Sequence, residues 1–434
     1  MSIAIDKADL DVSRQALVHP FGFKGGCFTE KWLTHVRLDS ISGQTASSLG
    51  SLAILWADAN VFLAHTETGG NLIMAAMLEY ALMHAQGLRF NTPLDLLDQV
   101  FEPVHAYGRA ITGRKDLSPT FTLNALVGLD NAAWVLCARE RNMSVLDELV
   151  PTDLLPALRC RHDVLGIIPL ISYALSTDHV EALAREGHAV FKIKIGAPGD
   201  VDEMLAKDKK RLSEIHAVLR DVRTPHTDCG MALYYLDANG RYPDAEHMLR
   251  LLDHAERLGM RDRILVLEEP YSEHSTQAVG DLGVRVAADE SLHNMAALRQ
   301  RIDLGYTAAA LKPAGKTLSM TLRMVAEAHK HGIPCFVADS ACVPRLLEWN
   351  KNVAARLPAL PGVKIGLIES NGAQHYRSWQ KMIDEHSCAG APWIIPEQGV
   401  FQLDDDFFRQ SGGVFFECSS PHRCSDTEDK KTGN

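Results

Sequence analysis

Ionisable side chains end five short apolar segments in the second half of the chain. The segments are FKIKIG with Lys192 and Lys194, LYYLDAN with Asp237 and Asn239, ILVLEEP with Glu268 and Glu269, VAADES with Asp289 and Glu290, and ALKPAG with Lys312. Each begins as a short apolar run that is typical of a buried β-strand. If the strands are parallel, their carboxyl ends meet at one edge, so these groups could act together on one small molecule.

Three of these residues, Asp237, Glu268 and Asp289, supply one carboxylate from each of three successive segments. Carboxylates crowded in this way repel one another unless a hard cation neutralises them, and oxygen ligands favour Mg²⁺, with Mn²⁺ as a substitute. For each carboxylate alone, the alternative is a solvated strand-end charge or a cap of the following helix. Three in succession favour the metal site.

The lysines predict proton transfer. Lys192 and Lys194 are two residues apart, so on a strand they point to the same side, and a solvated pair on the outside is the alternative. Lys312 follows the carboxylate segments, which would put one lysine on each side of a substrate at the metal. Burial and nearby positive charge can lower a lysine pKa toward neutrality, so that the amine accepts a proton. The set therefore predicts abstraction of a proton next to a carboxylate.

Eight candidate strands must position these groups, starting at about Gly166. They are IIPLISYAL, AVFKIKIG, ALYYLDAN, ILVLEEP, VRVAADES, AAALKPAG, PCFVADSA and VKIGLIES. Amphipathic stretches such as VDEMLAKDKKRLSEIHAVL separate most of them, which indicates β-α-β connections and a parallel sheet. Eight such strands favour a closed barrel. A doubly wound open sheet is the alternative, but no glycine-rich phosphate motif supports it.

The first 150 residues have an α+β pattern. Short extended pieces from about Phe28 to Glu67, including SLAILWADANVFLAHTET, predict a β-meander. Helical periodicity follows in LIMAAMLEYALMHAQG and TLNALVGLDNAAWVLCARERN. The chain after Phe416 is polar, and we expect it to be disordered.

Composition narrows the class of protein. The chain has 434 residues, of which 46% are hydrophobic and 23% charged, as in ordinary globular proteins. Its net charge of −11 disfavours a nucleic-acid partner. The nine cysteines show no metal-binding spacing, which favours reduced thiols and a cytoplasmic location. No segment has the roughly 20 uninterrupted apolar residues of a membrane helix, so we expect no membrane partner.

The ordered set KIK, DAN, EEP, DES and KP resembles the enolase superfamily. A lysine on each side of the metal resembles the muconate lactonizing enzyme (muconate cycloisomerase) subgroup of its mandelate racemase family. The resemblance implies an α/β fold, a (β/α)7β TIM-like barrel with an α+β N-terminal capping domain. The implied parts are a cap at 1–150, a barrel at 151–370, a C-terminal segment at 371–416 that returns to the cap, and a disordered tail at 417–434.

The same resemblance implies roles for the site residues. Mg²⁺ would be held by Asp237, Glu268 and Asp289, while Lys194 and Lys312 would be opposed acid/base groups. Lys192 would support the substrate carboxylate. Further candidates for supporting or binding roles are Asn239, Glu269, Glu290 and Glu369, and in the cap Phe21 and Phe23. The first three have routine hydrogen bonding as their alternative. The two phenylalanines lie in HPFGFKGG, residues 19–26, which we interpret as a mobile loop over the substrate, with an ordinary packed turn as the alternative.

The sequence also departs from relatives. Lys312 is followed by PAGKT where relatives often have a double glycine, and PHTDCG is an apparent insertion before Asp237. The seventh strand ends VADSACVP, without the histidine of mandelate racemase-like members, which favours a Lys/Lys pair. The eighth strand lacks the DxD pattern typical of dipeptide epimerases, which weakens that assignment.

The implied activity is Mg²⁺-dependent removal of the proton α to a carboxylate of a small molecule, through an enediolate. Net isomerisation would follow, as racemisation, epimerisation or cycloisomerisation. Loss of a β-hydroxyl, as in acid-sugar-type dehydratases or other lyases, is an alternative on the same site. A metal-free Schiff-base lyase and a non-catalytic barrel are the remaining alternatives. The resemblance also implies a homo-oligomer.

Overall fold

The computed structural model describes residues 2–416, which form two β-sheets with associated helices. The predicted disordered tail at 417–434 lies outside the described residues. One sheet is antiparallel and belongs to the N-terminal part, and the other contains the parallel strands that carry the site. This is the α/β fold expected from the sequence, with a capping domain next to a barrel.

The N-terminal sheet has four strands in the order β3-β2-β1-β4. The strands are β1 (Ile3–Phe23), β2 (Gly26–Ser40), β3 (Thr45–Leu52) and β4 (Arg89–Phe90). Seven helices follow or interrupt them: α1 (Ile54–Ala57), α2 (Ala59–Ala64), α3 (Glu67–Ala85), α4 (Pro93–Thr112), α5 (Pro119–Ala125), α6 (Val127–Arg141) and α7 (Leu146–Leu149). The two helical stretches predicted from periodicity coincide with α3 and with α5 and α6.

The predicted β-meander is wrong at both ends. Extended structure begins at Ile3 rather than Phe28, because β1 pairs antiparallel with β2 along most of its length although most of its side chains are exposed or half-buried. Residues 54–64 are helical rather than extended. The Asp58 carboxylate accepts the N–H groups of Asn60 and Val61, and this cap starts α2.

The predicted loop at residues 19–26 is the end of a β-hairpin. Phe21 pairs with Phe28 and Phe23 with Gly26, and only Lys24 and Gly25 form the turn. Both turn residues have positive φ, 48° and 77°. The pairing register shifts between Ala16 and Phe21, which bends this end of the hairpin.

The barrel strands are parallel and follow chain order around the sheet. They are β5 (Val164–Ile168), β6 (Leu170–Ile171), β7 (Val190–Lys194), β8 (Leu233–Asp237), β9 (Ile264–Glu268), β10 (Val286–Ala288), β11 (Ala308–Leu311), β12 (Cys335–Val337) and β13 (Gly366–Glu369). Pro169 has no N–H and separates β5 from β6, which form one strand of the barrel. Because β5 pairs with β13 and β6 pairs with β7, this strand closes the ring.

Helices connect most of the barrel strands. They are α8 (Thr177–Arg185), α9 (Val201–Leu219), α10 (Ala245–Arg257), α11 (Met295–Asp303), α12 (Pro313–Lys316), α13 (Leu318–Lys330) and α14 (Pro344–Ala354). Five begin at a polar side chain that accepts a backbone N–H of the first turn: Ser176, Asp200, Asp244, Asn294 and Thr317. The connection from β9 to β10 has only a 3₁₀ turn, Gly280–Leu282.

The C-terminal segment contacts both parts of the chain. It contains α15 (Trp379–Asp384), β14 (Val400–Gln402) and α16 (Asp405–Gln410). β14 pairs antiparallel with β5 of the barrel, whereas Tyr376 forms a β-bridge with Leu17 of β1. The domain boundaries given above stay predictions.

Side-chain alternation separates the barrel interior from the helix layer. The interior cluster includes Val190 of β7 and Tyr235 of β8, whereas their neighbours Phe191 and Tyr234 belong to the core outside. Strand residues with the interior parity therefore point into the barrel up to its mouth. This is why polar groups at strand ends can share one site.

Helices α5 and α6 join the cap to the barrel. The Asn124 amide accepts the N–H of Ala53 at 2.8 Å and donates to the carbonyls of Ser51 and Gly315, both at 3.2 Å. The Trp134 indole donates to Ser319 Oγ at 3.0 Å. All six residues are buried, so the joint excludes water and fixes β3 against α12.

No single described helix has the length and hydrophobicity to cross a membrane. The bent pair α5 and α6 reaches that length and composition together, at an angle of 49°, and both helices are largely buried in the joint. Every cysteine among residues 2–416 is a free thiol.

Replacing Gly50 with alanine is expected to destabilise the cap by about 1–3 kcal/mol. A Cβ there would lie 2.6 Å from Thr34 Oγ1 and 2.7 Å from the Gly128 backbone nitrogen, so β3 and α6 would have to separate. Urea unfolding followed by circular dichroism measures the change. Gly280→Ala is the control, because its Cβ would meet nothing within 4 Å. Equal urea midpoints for the two variants would contradict this packing.

Candidate active site

The barrel closes with its strand ends at one level, which brings the predicted groups together. Lys194 is opposite Asp237 in the pairing of β7 with β8, and Asp237 is opposite Glu268 in the pairing of β8 with β9. Lys192, Asp237, Glu268, Asp289, Lys312 and Glu369 are all buried at the carboxyl ends of their strands. The predicted convergence of these side chains on the barrel mouth is therefore observed.

Lys192 lies at the centre of one half of the mouth. Its Nζ is 2.9 Å from Asp237 Oδ2, 2.8 Å from Glu268 Oε2 and 3.1 Å from Glu369 Oε2. The Lys194 ammonium contacts the same Asp237 oxygen at 2.6 Å. The two lysines thus point to the same side, into the barrel, and not outward as a solvated pair.

Asp289 is the centre of the opposite half. Its Oδ2 accepts a hydrogen bond from Lys312, while Oδ1 lies 3.3 Å from Lys316 Nζ. Lys316 is completely buried at the end of α12 and also donates to the Asp289 carbonyl. Lysines therefore flank the carboxylates on both sides, as predicted.

A group of three carboxylates within residues 2–416 has the spacing of a cation site. Oxygens of Glu268, Asp289 and Glu290 lie within 4.8 Å of one another. Two buried oxygens, Glu268 Oε1 and Glu290 Oε2, have no hydrogen-bond partner. Since buried carboxylate oxygens without partners are costly, this donor set fits a divalent cation of the Mg²⁺ type.

Asp237 is not in that group. One of its oxygens contacts both Lys192 and Lys194, and the other accepts the Asn239 N–H at 3.0 Å. The structure thus brings together two of the three predicted ligands with Glu290, a residue assigned a supporting role. Metal coordination by Asp237 stays a prediction.

Asn239 links the lysine side of the mouth to the hairpin. Its Oδ1 accepts from Lys194, and its Nδ2 donates to Glu290 Oε1 at 2.9 Å. The Lys24 ammonium at the hairpin turn lies 3.1 Å from the same Glu290 oxygen. The hairpin turn is therefore held directly against the carboxylate group.

Glu269 has a structural role that its position beside Glu268 does not reveal. The backbone is left-handed at Glu269, with φ of 38°, and the side chain turns to the neighbouring strand end. Its Oε2 accepts the Asp289 N–H at 2.7 Å and the Ser291 hydroxyl at 3.0 Å. Glu269 therefore fixes the segment that carries Asp289 and Glu290.

Charge pairing sets the protonation of the mouth. Burial opposes ionisation of Asp237, but Lys192 and Lys194 outweigh it, so the pKa of Asp237 lies below its usual value. Lys312 and Lys316 lower the pKa of Asp289 in the same way. Burial together with the Asp237 charge raises the pKa of Glu268 well above its usual value.

The same pairing raises the pKa of two lysines, Lys192 and Lys312. Burial favours the neutral amine of Lys192, but the charges of Asp237, Glu268 and Glu369 dominate and raise its pKa. Asp289 likewise raises the pKa of Lys312. The sequence argument considered only burial and positive neighbours, which act in the other direction. In this arrangement Lys192 and Lys312 hold their protons.

A cavity of about 720 Å³ lies between the mouth and the cap. Lys192, Lys194, Lys312 and Glu369 contribute to its barrel side. The cap supplies apolar walls: Phe21, Phe23, Phe28, Ile54, Leu55, Trp56 and Phe62. Phe21 and Phe23 therefore lie where the sequence predicted, at the substrate side of the cap.

Aromatic rings of the cap cover both candidate acid/base lysines. Lys194 Nζ is 5.9 Å from the ring centroid of Phe23, and Lys312 Nζ is 4.5 Å from that of Trp56. These ring faces lie within cation–π range of the two ammonium groups and cover part of each.

Sequence reasoning missed Lys24, Lys31, Tyr235 and Lys316. Tyr235 donates a hydrogen bond to Glu268, and it is two residues before Asp237, so strand alternation could have identified it. Lys316 lies in the same PAGKT segment that departs from relatives. Lys24 and Lys31 carried no signal, because their positions depend on how the hairpin folds over the barrel.

Comparison with known proteins agrees with this architecture. Residues 176–384 match a family model described as enolase C-terminal domain-like. No curated protein matches the sequence significantly.

Solved structures cover almost the whole chain. A mandelate racemase/muconate lactonizing protein from Herpetosiphon aurantiacus has a TM-score of 0.65 and 18% identity, over 93% of this chain and 96% of that chain. A dipeptide epimerase from Enterococcus faecalis V583, complexed with Mg and the dipeptide L-Leu-L-Tyr, has a TM-score of 0.63 and 14% identity, over 92% of this chain and 97% of that chain. The L-Ala-D/L-Glu epimerase from Bacillus subtilis has a TM-score of 0.66 and 13% identity, over 92% of this chain and 96% of that chain. These likenesses show the fold, and together with the family match they support an assignment of this chain to the enolase superfamily.

Glu268→Gln is expected to weaken binding of Mn²⁺ or Mg²⁺ by about tenfold or more, because it removes a buried negative charge from the carboxylate group. Electron paramagnetic resonance of free Mn²⁺ measures the binding directly. Mn²⁺ binding is also measured for Asp237→Asn and Glu290→Gln. Of these two variants, the one that weakens binding more identifies the third ligand. Glu385→Gln, on the exposed surface, is the control. Unchanged affinity in Glu268→Gln would exclude this site.

Proposed function

We propose that this protein, whose barrel has the fold and the family match of the enolase superfamily, removes the proton α to the carboxylate of a small molecule. The net reaction is an isomerisation, either racemisation or epimerisation, or cycloisomerisation. One observation supports this most directly. Lys194 and Lys312 line one cavity from opposite sides of a buried carboxylate group.

A divalent cation held by Glu268, Asp289 and a third carboxylate, Asp237 or Glu290, would neutralise the charge that develops on the substrate carboxylate. Mg²⁺ is the proposed ion. It would also compete with the ammonium groups for the same oxygens, which lowers the lysine pKa values.

The lysines perform the proton transfers. Lys194 Nζ or Lys312 Nζ takes the proton from the α-carbon, and the opposite lysine can return one to the other face. A proton returned to the opposite face inverts the α-carbon. In cycloisomerisation, an oxygen of the substrate adds to a conjugated carbon–carbon double bond, so that the ring C–O bond and the enediolate form together, and a lysine then protonates the α-carbon.

Lys192 has a different role, because three carboxylates surround it and it does not contact the cap rings. Its charge favours the ionised form of Asp237, and it offers a fixed positive charge near the substrate carboxylate. Glu369, bonded to Lys192 and to the Asn371 amide at 3.2 Å, limits the cavity on the remaining side.

The finer assignment within the superfamily is the Lys/Lys subgroup that includes muconate lactonizing enzymes. The two lysines and the absence of a histidine at the end of β12 support it. Epimerisation has support from the named activities of two proteins that share this fold. Assembly as a homo-oligomer stays a prediction.

Incorporation of deuterium at the α-carbon tests the proposal. The protein is incubated with Mg²⁺ in D₂O and pools of N-acyl amino acids, dipeptides, sugar acids and muconate-like acids. We expect exchange that EDTA abolishes. Lys194→Met and Lys312→Met should each lower it by about 10²–10⁴-fold, and each should affect one enantiomer of a racemised substrate more than the other.

Lys115→Met, on the exposed surface of the cap, is the matched control, and unchanged circular dichroism confirms that each variant folds. Exchange that persists in EDTA and in both lysine variants would contradict the proposal. Covalent trapping by borohydride with a keto acid would instead support a Schiff-base lyase.

A further inference from the structure

Lys31 is a buried lysine that the proposed chemistry does not use. It lies on β2 of the cap, is 3% exposed and lines the cavity above the barrel mouth. Its ammonium makes no hydrogen bond or ion pair within residues 2–416. Its closest aromatic neighbour is Phe28, whose ring centroid is 5.9 Å away. The other lysines that line the cavity, Lys192, Lys194 and Lys312, are all paired with carboxylates.

No acidic residue of the described cavity wall forms an ion pair with Lys31: the charge of Asp339 acts on it only from beyond ion-pair distance, and each acid has other hydrogen-bond partners. Glu30 is bonded to Arg14 and the Trp32 indole, and Glu67 accepts the backbone N–H groups of Thr29 and Glu30. Asp339 accepts the backbone N–H groups of Cys342 and Asn371. Asp237 and Glu369 are paired with lysines of the barrel mouth. Among the described residues that line the cavity, Lys31 is therefore the lysine whose ammonium has no carboxylate within ion-pair distance.

An ammonium group removed from water without an anion is costly. Burial lowers the pKa of Lys31 to about 8, so the group remains mostly protonated at neutral pH. A positive charge kept in this way at the wall of a ligand cavity is complementary to an anionic group of the ligand.

We infer that Lys31 binds a second carboxylate of the substrate, so that the substrate is a dicarboxylic acid with an apolar middle section. This inference rests on the proposed function, which places the first carboxylate at the barrel mouth. Between the two ends the ligand passes the rings of Phe21, Phe23 and Phe62. A single ammonium matches the single charge of a carboxylate better than the double charge of a phosphate. Lys31 is thus a residue that determines specificity, and it takes no part in proton transfer.

Calorimetric titration with Mg²⁺ present tests this inference. The probes are glutarate, adipate, pimelate and suberate, each beside its monoamide, which has nearly the same shape and one charge fewer. We expect the wild-type protein to bind at least one diacid about tenfold or more tightly than its monoamide, as for a charge pair in a desolvated site. Lys31→Met should reduce that ratio to about one, with little change in affinity for the monoamide.

Two further variants separate recognition from structure. Lys31→Arg keeps the charge and should keep most of the preference for the diacid. Lys7→Met, on the exposed part of β1 in the same sheet, should keep all of it. A merely structural role of Lys31 would lower the affinity for acid and monoamide alike.

Equal binding of every diacid and its monoamide by the wild type, no binding of any diacid, or a ratio unchanged in Lys31→Met would overturn the inference. Deuterium exchange measured on the same samples distinguishes it from the proposed function. A diacid preference that depends on Lys31 without α-exchange counts against the proposed reaction alone. Exchange without such a preference counts against the role of Lys31 alone.

Discussion

The mouth of this barrel depends on charge compensation among side chains that are almost fully removed from water. Lys192 lies within ion-pair distance of Asp237, Glu268 and Glu369. Each of these charges would cost several kcal/mol if it were buried alone, so none can be removed without leaving another uncompensated. Three carboxylates share one central ammonium, and Glu268 keeps one buried oxygen without a hydrogen-bond partner, to which a divalent cation would bind.

The same register serves the packing of the barrel and its chemistry. Val190, Lys192 and Lys194 point inward because they alternate with residues that contact the outer helices, and Ala310 and Lys312 do the same on β11. If the pairing of either strand shifted by one residue, the side chains that now face the helices would point into the barrel, and the lysines would point outward. The apolar floor and the charged mouth therefore specify one pairing of the strands.

The sequence predicted what depends on local pattern. Eight strands and the convergence of their ends followed from short apolar runs, alternation and the geometry of parallel sheets. Residues 54–64 are helical because the Asp58 cap and tertiary burial outweigh an extended-looking composition. Lys24 and Lys31 gave no signal, since their positions depend on contacts with distant parts of the chain.

The joint between cap and barrel allows substitutions in the cap to change ligand preference without moving the lysines of the barrel. Asn124 ties the end of β3 to Gly315, which lies in the same turn as Lys312. The cap side chains nearest the expected ligand, Phe23 and Lys31, lie on the other two long strands of the cap sheet. Substitutions on those strands can therefore alter ligand preference while the joint keeps the lysines in place, so that new substrates can evolve on an unchanged proton-transfer framework.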